Sequence, residues 1–350
     1  MKTKARTLDF MKDRRKNRIL SCTFLILLTC ITTGTSQNNP ALSFTVLFYN
    51  TENFFDCDND TLKSDEEFLP GSDRKWTYSR YKNKVNKTAK VILASNGWEP
   101  PDIVGLCEIE NDKVLNRLIW DTGLSVAGYR YVHYESPDKR GIDAALLYRK
   151  SKFRILKSCP VNVSIPEKGF FTRDMLYVKG LVFDDDTFHI LVCHMPSKYG
   201  GELSSEWKRN YVSTQIRKVC DSIFATGINS KVIILGDMNE PPDGNAIKNI
   251  IMPGTKAALI NLATSCDYDN ALGTIKYQGH WEVIDQIIIS KSLREPPYQC
   301  DGMTIIDLPF LLEHDKSFSG KKPFRTFLGP VYHGGFSDHL PVKATISKQP

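Results

Sequence analysis

The chain has 350 residues, 41% hydrophobic and 25% charged, with nine cysteines and a formal net charge of +6. These values exclude a disordered or fibrous chain and a small disulfide scaffold, and they leave room for one large domain or two small ones. A positive balance of this kind points to nucleic acid or a membrane surface only if the charges lie on the folded part.

They do not. Residues 1–18 carry eight Lys and Arg against Asp9 and Asp13, and Ile19–Thr33 is uncharged and apolar. Gly34 and Ser36 follow. A basic start, an apolar centre and a small-residue exit read as a secretory signal over residues 1–36. Met11 as the true start would give it a more usual length. A second reading makes Cys30 a lipid-attached cysteine, although Leu27-Leu28-Thr29 fits the small-residue requirement before such a cysteine poorly. A retained anchor is the third reading, and the apolar run is short for a bilayer span. The expected location is exported, periplasmic or extracellular, with lipid tethering to the envelope as the variant. The leader holds eight of the 46 basic and two of the 40 acidic residues, so the remainder carries 38 of each. The net charge of the mature chain is zero, and the basic balance says nothing about its partner.

From about Gln37 to Pro350 no linker, repeat or low-complexity tract divides the chain, so one domain is expected. Apolar runs rich in Val, Ile, Leu and Tyr, bounded by Gly, Pro, Asp or Asn, predict strands. They fall at Ser43–Tyr49, Asp102–Cys107, Ile142–Tyr148, Phe153–Leu156, Leu176–Phe183, Phe188–His194, Val232–Leu235, Val283–Ile289 and Val342–Ile346. Two helices are expected between them. Tyr78–Ala94 sets Tyr81, Val85, Ala89, Ile92 and Leu93 on one stripe, and Leu203–Phe224 does the same for Trp207, Tyr211, Ile216, Val219 and Ile223. Many strands with few long helices argue for a layered α/β domain. Asp56–Arg74 and Lys291–Arg325 read as surface loops. Seven cysteines remain after the leader, with no C-x-x-C pair. Cys107 and Cys193 read as buried small hydrophobes, and an exported context permits a disulfide among the others.

Acids, imidazoles and amides recur at the ends of these runs. Asn50 ends VLFYN, Glu108 ends IVGLCE, and His194 ends HILVCH. Asp237 and Asn239 follow VIILG, Asp285 lies in EVIDQIII, and Asp338 and His339 precede the last strand. A carboxylate beside a buried apolar run costs several kcal/mol unless it is paired, hydrogen-bonded or metal-bound. One such residue is unremarkable; this many predict a shared site. Asp237-x-Asn239 in extended backbone turns both side chains to one side. A carboxylate and an amide together suit a phosphate beside a hard cation, and Glu108 can supply an oxygen ligand to Mg²⁺. Histidines at 194 and 339 can donate to a phosphoryl oxygen. That combination predicts phosphoryl chemistry, in which positioning and charge stabilisation carry the catalysis. No nucleotide-binding glycine loop or serine-hydrolase elbow is present.

GLCEIE at 105–110, HMPS at 194–197, GDMNEPP at 236–242, IDQIII at 284–289 and SDHLPV at 337–342 together resemble the endonuclease/exonuclease/phosphatase superfamily, in its order and over nearly the whole mature chain. LFYNTENFFD at 47–56, SPDKRGIDAALLYR at 136–149 and HMPSKYGG at 194–201 look closest to a bacterial exported subgroup. The resemblance implies a two-sheet β-sandwich flanked by helices, a four-layer α/β/β/α fold with its site at one end. It also implies roles. Glu108 looks like the metal-binding glutamate, with Asn50 and Asp338 as further candidates for the ion, expected to be Mg²⁺ with Mn²⁺ or Ca²⁺ as substitutes. Asp237 and Asn239 look like the pair that orients the attacking water and the phosphate. His194 looks like a donor to the phosphoryl group. Asp285 looks like the support of a catalytic histidine, and Asp338 with His339 looks like an acid-bearing dyad. Asn50, Arg140, Lys198 and Trp281 are candidate substrate contacts.

Several other residues have bland readings. Glu110, Asp112 and Asp243 read as solvated acids, and Lys82, Lys84, Lys87 and Lys90 as a solvated helix face. Trp76 and Trp98 read as packing residues, as does Trp281 in the alternative to lining the cleft. Arg173 with Asp174 reads equally as a structural pair or a substrate contact. The expectation is therefore a monomeric, metal-dependent phosphoesterase, first of all a nuclease cutting nucleic-acid phosphodiesters by in-line water attack. The alternative keeps the chemistry on inositol phosphates, phospholipids or other small phosphoesters, and the neutral mature chain gives it weight. A non-catalytic surface binding protein is the reading of another class; it predicts eroded site residues. No stable protein partner is implied.

Overall fold

The computed structural model describes residues 42–183, 185–198, 201–265 and 272–349. Residues 1–36, expected to be a leader, with Cys30 among them, and Cys266 lie outside them. No helix among the described residues is long and apolar enough to cross a membrane.

The elements in chain order are β1 (Leu42–Phe54), α1 (Tyr78–Ala94), β2 (Ile103–Ile109), α2 (Asp112–Trp120), β3 (Tyr129–His133), β4 (Asp143–Arg149), β5 (Arg154–Val161), β6 (Met175–Val182), β7 (Asp186–His194), α3 (Glu202–Thr226), β8 (Lys231–Asp237), α4 (Asn245–Ile251), β9 (Leu259–Asn261), β10 (Ile275–Tyr277), β11 (His280–Glu282) and β12 (Asp285–Ser290), followed by short strands and a C-terminal strand, Val342–Lys348. One sheet runs Tyr298–Gln299, C-terminal strand, β1, β2, β4, β3; the other runs β5, β6, β7, β8, β12, β9. β1 and β2 pair in parallel, as do β7 and β8.

Each central strand is apolar on both faces because each face is covered. Phe44, Val46 and Phe48 of β1 meet Phe188, Ile190 and Val192 of β7 and Ile233 and Leu235 of β8 between the sheets. The alternate residues Leu47 and Tyr49 face outward under α1 and α2. Leu191, Val232 and Ile234 face outward under α3 and α4. The result is the expected α/β/β/α sandwich. The period-2 alternation of side chains assigns the layers.

Several local expectations need correction. α1 has the predicted bounds, but its buried face includes Lys84. α3 turns Val212, Ile216, Cys220 and Ile223 inward together with Arg209 and Arg217, and leaves Trp207 exposed. Trp76 is buried and Trp98 fully exposed. Asp56–Arg74 and Lys291–Arg325 are not merely surface loops, since Phe68, Cys300, Met303 and Leu311 are buried. The described cysteines, Cys57, Cys107, Cys159, Cys193, Cys220 and Cys300, are free thiols.

Candidate active site

The inner-face rows of four strands change character at one end of the sandwich. Phe44, Val46 and Phe48 lead to Asn50; Ile190 and Val192 lead to His194; Ile233 and Leu235 lead to Asp237; Ile289 and Ile287 lead to Asp285. Register aligns the last three: His194 pairs with Asp237, and Asp237 with Asp285. The close approach of β7 and β8 needs Gly236, where a Cβ would lie 2.7 Å from the Cys193 carbonyl oxygen. Glu108 reaches the same end by another route. Both β1 and β2 slip register here, between Asn50 and Phe54 and between Cys107 and Ile109. Glu52, Asn53, Glu108 and Asn239 all take left-handed backbone conformations. Such residues cost on the order of 1–3 kcal/mol each, and they concentrate where geometry serves function. The bulge breaks the alternation, so a strand-period reading cannot say which way Glu108 points.

Asp237 is the hub. Its Oδ1 accepts from the Asn239 amide at 2.9 Å, and its Oδ2 accepts from Asn50 Nδ2 at 3.0 Å. His194 Nε2 lies 3.5 Å from that Oδ2 and His339 Nε2 lies 4.0 Å from it. Burial is the main force pushing the Asp237 carboxyl up to about 7, against the pull of His339. Asn239 Nδ2 donates to the Met195 carbonyl at 3.0 Å.

His339 Nδ1 is 2.8 Å from Asp285 Oδ2. Burial works against its charge, but Asp285, Asp237 and Asp338 together outweigh burial and hold the imidazole well above its usual pKa. The dyad is therefore Asp285–His339. Asp338 stands 4.0 Å from Nε2, and its Oδ2 accepts from Arg325 Nη2 at 2.9 Å. Thr274 Oγ1 accepts from the amides of Ile284 and Asp285, which fixes the start of β12. Ser337 Oγ donates to the Asn50 carbonyl and accepts from the His339 amide, which joins the last loop to β1.

His194 is held the other way. Arg173 Nη2 is 2.7 Å from its Nε2 and Arg173 Nε is 3.2 Å from its Nδ1. An imidazole nitrogen that accepts from a guanidinium belongs to the neutral ring. Burial first, then Arg173 and Arg140, pull His194 well below its usual pKa. Arg173 also faces Asp138 at 3.6 Å, so its sequence neighbour Asp174 is not its partner; Asp174 accepts from Asn162 instead.

Sequence reasoning missed three groups. Glu52 is buried, accepting from the Thr326 amide at 2.6 Å and facing Arg325 at 3.3 Å. Lys84, expected on a solvated face, is buried with Nζ on Thr326 Oγ1 and the Phe336 carbonyl, both at 2.6 Å. Burial lowers its pKa to about 8. Glu110, expected solvated, is buried with Oε2 on the Asp56 amide, and burial pushes it up to about 8. Lys198 is half-buried and paired with Glu202 and Glu282, which occupies its charge. Trp281 is half-buried against the outer layer.

An ion would find suitable chemistry here. Glu52, Glu108, Asp237, Asp285 and Asp338 crowd one end of the sandwich. Glu108 Oε2 accepts from the Asn53 amide, and Oε1 turns toward His194 Nε2 at 3.9 Å. Asp285 Oδ1 is buried without a hydrogen-bond partner. An oxygen-rich, carboxylate-heavy set fits a hard divalent cation. Asp338, engaged by Arg325, is the least available of the three expected ligands.

A model of the endonuclease/exonuclease/phosphatase family matches residues 45–348. The chain belongs to this family. Phosphoester hydrolysis is the chemistry that goes with membership. A search of curated proteins finds no match. Among solved structures, a family protein from Bacteroides thetaiotaomicron is 18% identical, with 88% of this chain and 98% of that one covered at a TM-score of 0.57. The mannosyl-6-phosphatase of the same organism is 19% identical, covering 87% and 99% at 0.55. TDP2 of D. rerio, in complex with a single-strand DNA product, is 16% identical, covering 87% and 98% at 0.52. At these identities the likeness is one of fold.

Proposed function

We propose that this family member is an exported, divalent-metal-dependent phosphodiesterase acting on single-stranded nucleic acid. The observation that carries the substrate class is a groove of about 810 Å³ opening beside the centre. Arg173 lines it and also touches His194, so the groove and the reaction centre share a residue. Lys139, Arg140, Lys168 and Lys208 give it a cationic lining, interleaved with Phe170, Phe171 and Trp207. Trp207 and Phe171 are exposed. Lys168 and Lys208 sit 5.7 and 5.9 Å from the Trp207 ring centroid, and Lys139 sits 5.7 Å from that of Phe171. Cations that track a backbone beside rings that stack on bases are the apparatus of single-strand binding. A small phosphoester needs no such surface. The fold neighbours include a protein bound to DNA product and a sugar phosphatase, so the fold does not choose between them. The leader supports export.

In this reading Asp237, as carboxylate, accepts the proton of the water that attacks phosphorus, the P–O bond opposite it breaks, and the departing alkoxide takes a proton from solvent; Asn239 and Asn50 orient water and phosphate. Charged His339, held by Asp285, donates toward a phosphoryl oxygen. Arg173, with neutral His194 against it, offers positive charge to the same group. Glu108 and Asn50 would hold Mg²⁺, which when bound neutralises charge developing on the phosphate. The test is hydrolysis of a single-stranded oligonucleotide against a sugar phosphomonoester, with Mg²⁺ or chelator, over a salt series. Oligonucleotide cleavage that needs Mg²⁺ and falls steeply with salt is expected. Faster, salt-insensitive hydrolysis of the monoester would overturn the nucleic-acid reading in favour of a phosphatase.

A further inference from the structure

A second polar cluster lies on the other face of the same sheet. In the β3–β4 hairpin His133 pairs with Ala145, and continuing that register by two residues sets Glu135 opposite Asp143. Ala145 and Leu147 face outward toward α1 and α2. His133 and Asp143 therefore point away from the inner row of Asn50, His194 and Asp237. Like charges directly opposite on a hairpin are destabilising unless something lies between them.

The three side chains have a specific arrangement. Each of His133, Glu135 and Asp143 offers an atom within 4.8 Å of the others. His133 Nε2 and Asp143 Oδ2 are 3.4 Å apart, on side chains only 2% and 1% exposed. Both atoms are buried without a hydrogen-bond partner. The other ring nitrogen, Nδ1, sits 2.9 Å from Asp112 Oδ1 at the start of α2. A carboxylate on one imidazole nitrogen fixes the tautomer that leaves the other free as a ligand, as in carboxylate–histidine–zinc triads. Lys63, whose charge reaches Glu135, spends its Nζ on the carbonyls of Ser136 and Asp138. Three carboxylates thus surround one imidazole.

We propose that His133, Glu135 and Asp143 bind a divalent transition-metal ion, with zinc the best match to one nitrogen and two carboxylate ligands. Asp112 is the positioning residue. The ion would pin the two ends of the 135–143 loop, which carries Asp138 and Arg140 at the groove, so its role is to stiffen that wall.

The test uses the full-length protein with Glu108→Gln and Asp237→Asn, which weakens ion binding at the reaction centre. Zn²⁺ is titrated calorimetrically, and metal content is measured after gel filtration. Retention of one equivalent is expected, with loss on adding His133→Ala or Glu135→Gln. Asp112→Ala, an exposed position, is expected to weaken binding by about 10–100-fold without loss of fold. Zinc should also slow tryptic cleavage after Lys139 and Arg140. Absence of zinc binding in the Glu108→Gln/Asp237→Asn protein, or binding unchanged by both Glu135→Gln and His133→Ala, would overturn the site. Either result stands apart from the substrate question, since no arm reads hydrolysis.

Discussion

His194 and His339 lie on either side of one carboxylate oxygen, at 3.5 and 4.0 Å, and both are buried. Desolvation opposes the charge of each equally well in principle. Their pKa values are pushed in opposite directions because their second partners differ. His339 backs onto Asp285 and has Asp338 nearby; His194 backs onto Arg173, with Arg140 beyond it. The pair shows that burial sets the stakes of a histidine, and the residue behind it sets the sign. In the proposed mechanism it also divides the work: the His339 side supplies a charged imidazole, and on the His194 side the charge sits on the guanidinium.

The largest effect should follow from His339→Ala, with a loss of kcat/KM on the order of 10⁴-fold. Comparable activity in that variant would remove the imidazolium from the account. Arg173→Met tests the other side and should cost about 10²–10³-fold, as loss of a preorganised charge near a phosphoryl oxygen does. It should also let the His194 pKa rise. Asp285→Asn should cost less at low pH than at high pH, and the sign is set by the shift. A histidine held above its usual pKa loses its proton only at higher pH, so activity that needs the charged ring falls as pH rises through that value. Removing Asp285 moves this fall to lower pH. On the acid side, activity should rise as pH passes about 7, where Asp237 gives up its proton. A pH profile of kcat/KM in wild type and Asp285→Asn reads both limbs.

Lys84 lies behind the His339 side, and Lys84→Met should destabilise the fold by about 1–3 kcal/mol. The Phe336 carbonyl and Thr326 hydroxyl would lose their donor in a buried place. A melting curve checks it. The smallest effect belongs to the groove. Lys168→Ala and Lys208→Ala should each flatten the salt dependence of oligonucleotide binding by about one unit of slope while leaving kcat in place.

Much of this was legible in the sequence. Hydrophobic runs ending in Asn50, His194 and Asp237 mark strands that leave the core at one edge, and the period-2 rule gives their faces. The resemblance marks Asp285 as the support of a catalytic histidine, but that this histidine is His339, which the resemblance pairs with its neighbour Asp338, was not legible, because the contact is made across 54 residues of chain. The burial of Lys84 follows from a carbonyl and a hydroxyl brought over it by the 324–337 loop, which no helical periodicity reports. Arg173 could be named as a structural or substrate residue, but its partners were hidden for the same reason: His194 and Asp138 come from other strands and loops. Glu108 could be named but not aimed, since a left-handed residue at a bulge ignores alternation.

The charge states themselves can be measured. A long-range ¹H–¹⁵N NMR spectrum at neutral pH, assigned with the His194→Ala and His339→Ala variants, should show both His339 nitrogens protonated and His194 neutral. The His339 signal should move to a neutral pattern at lower pH in Asp285→Asn than in wild type. A neutral His339 or a charged His194 in the wild-type spectrum would contradict the division of labour across Asp237.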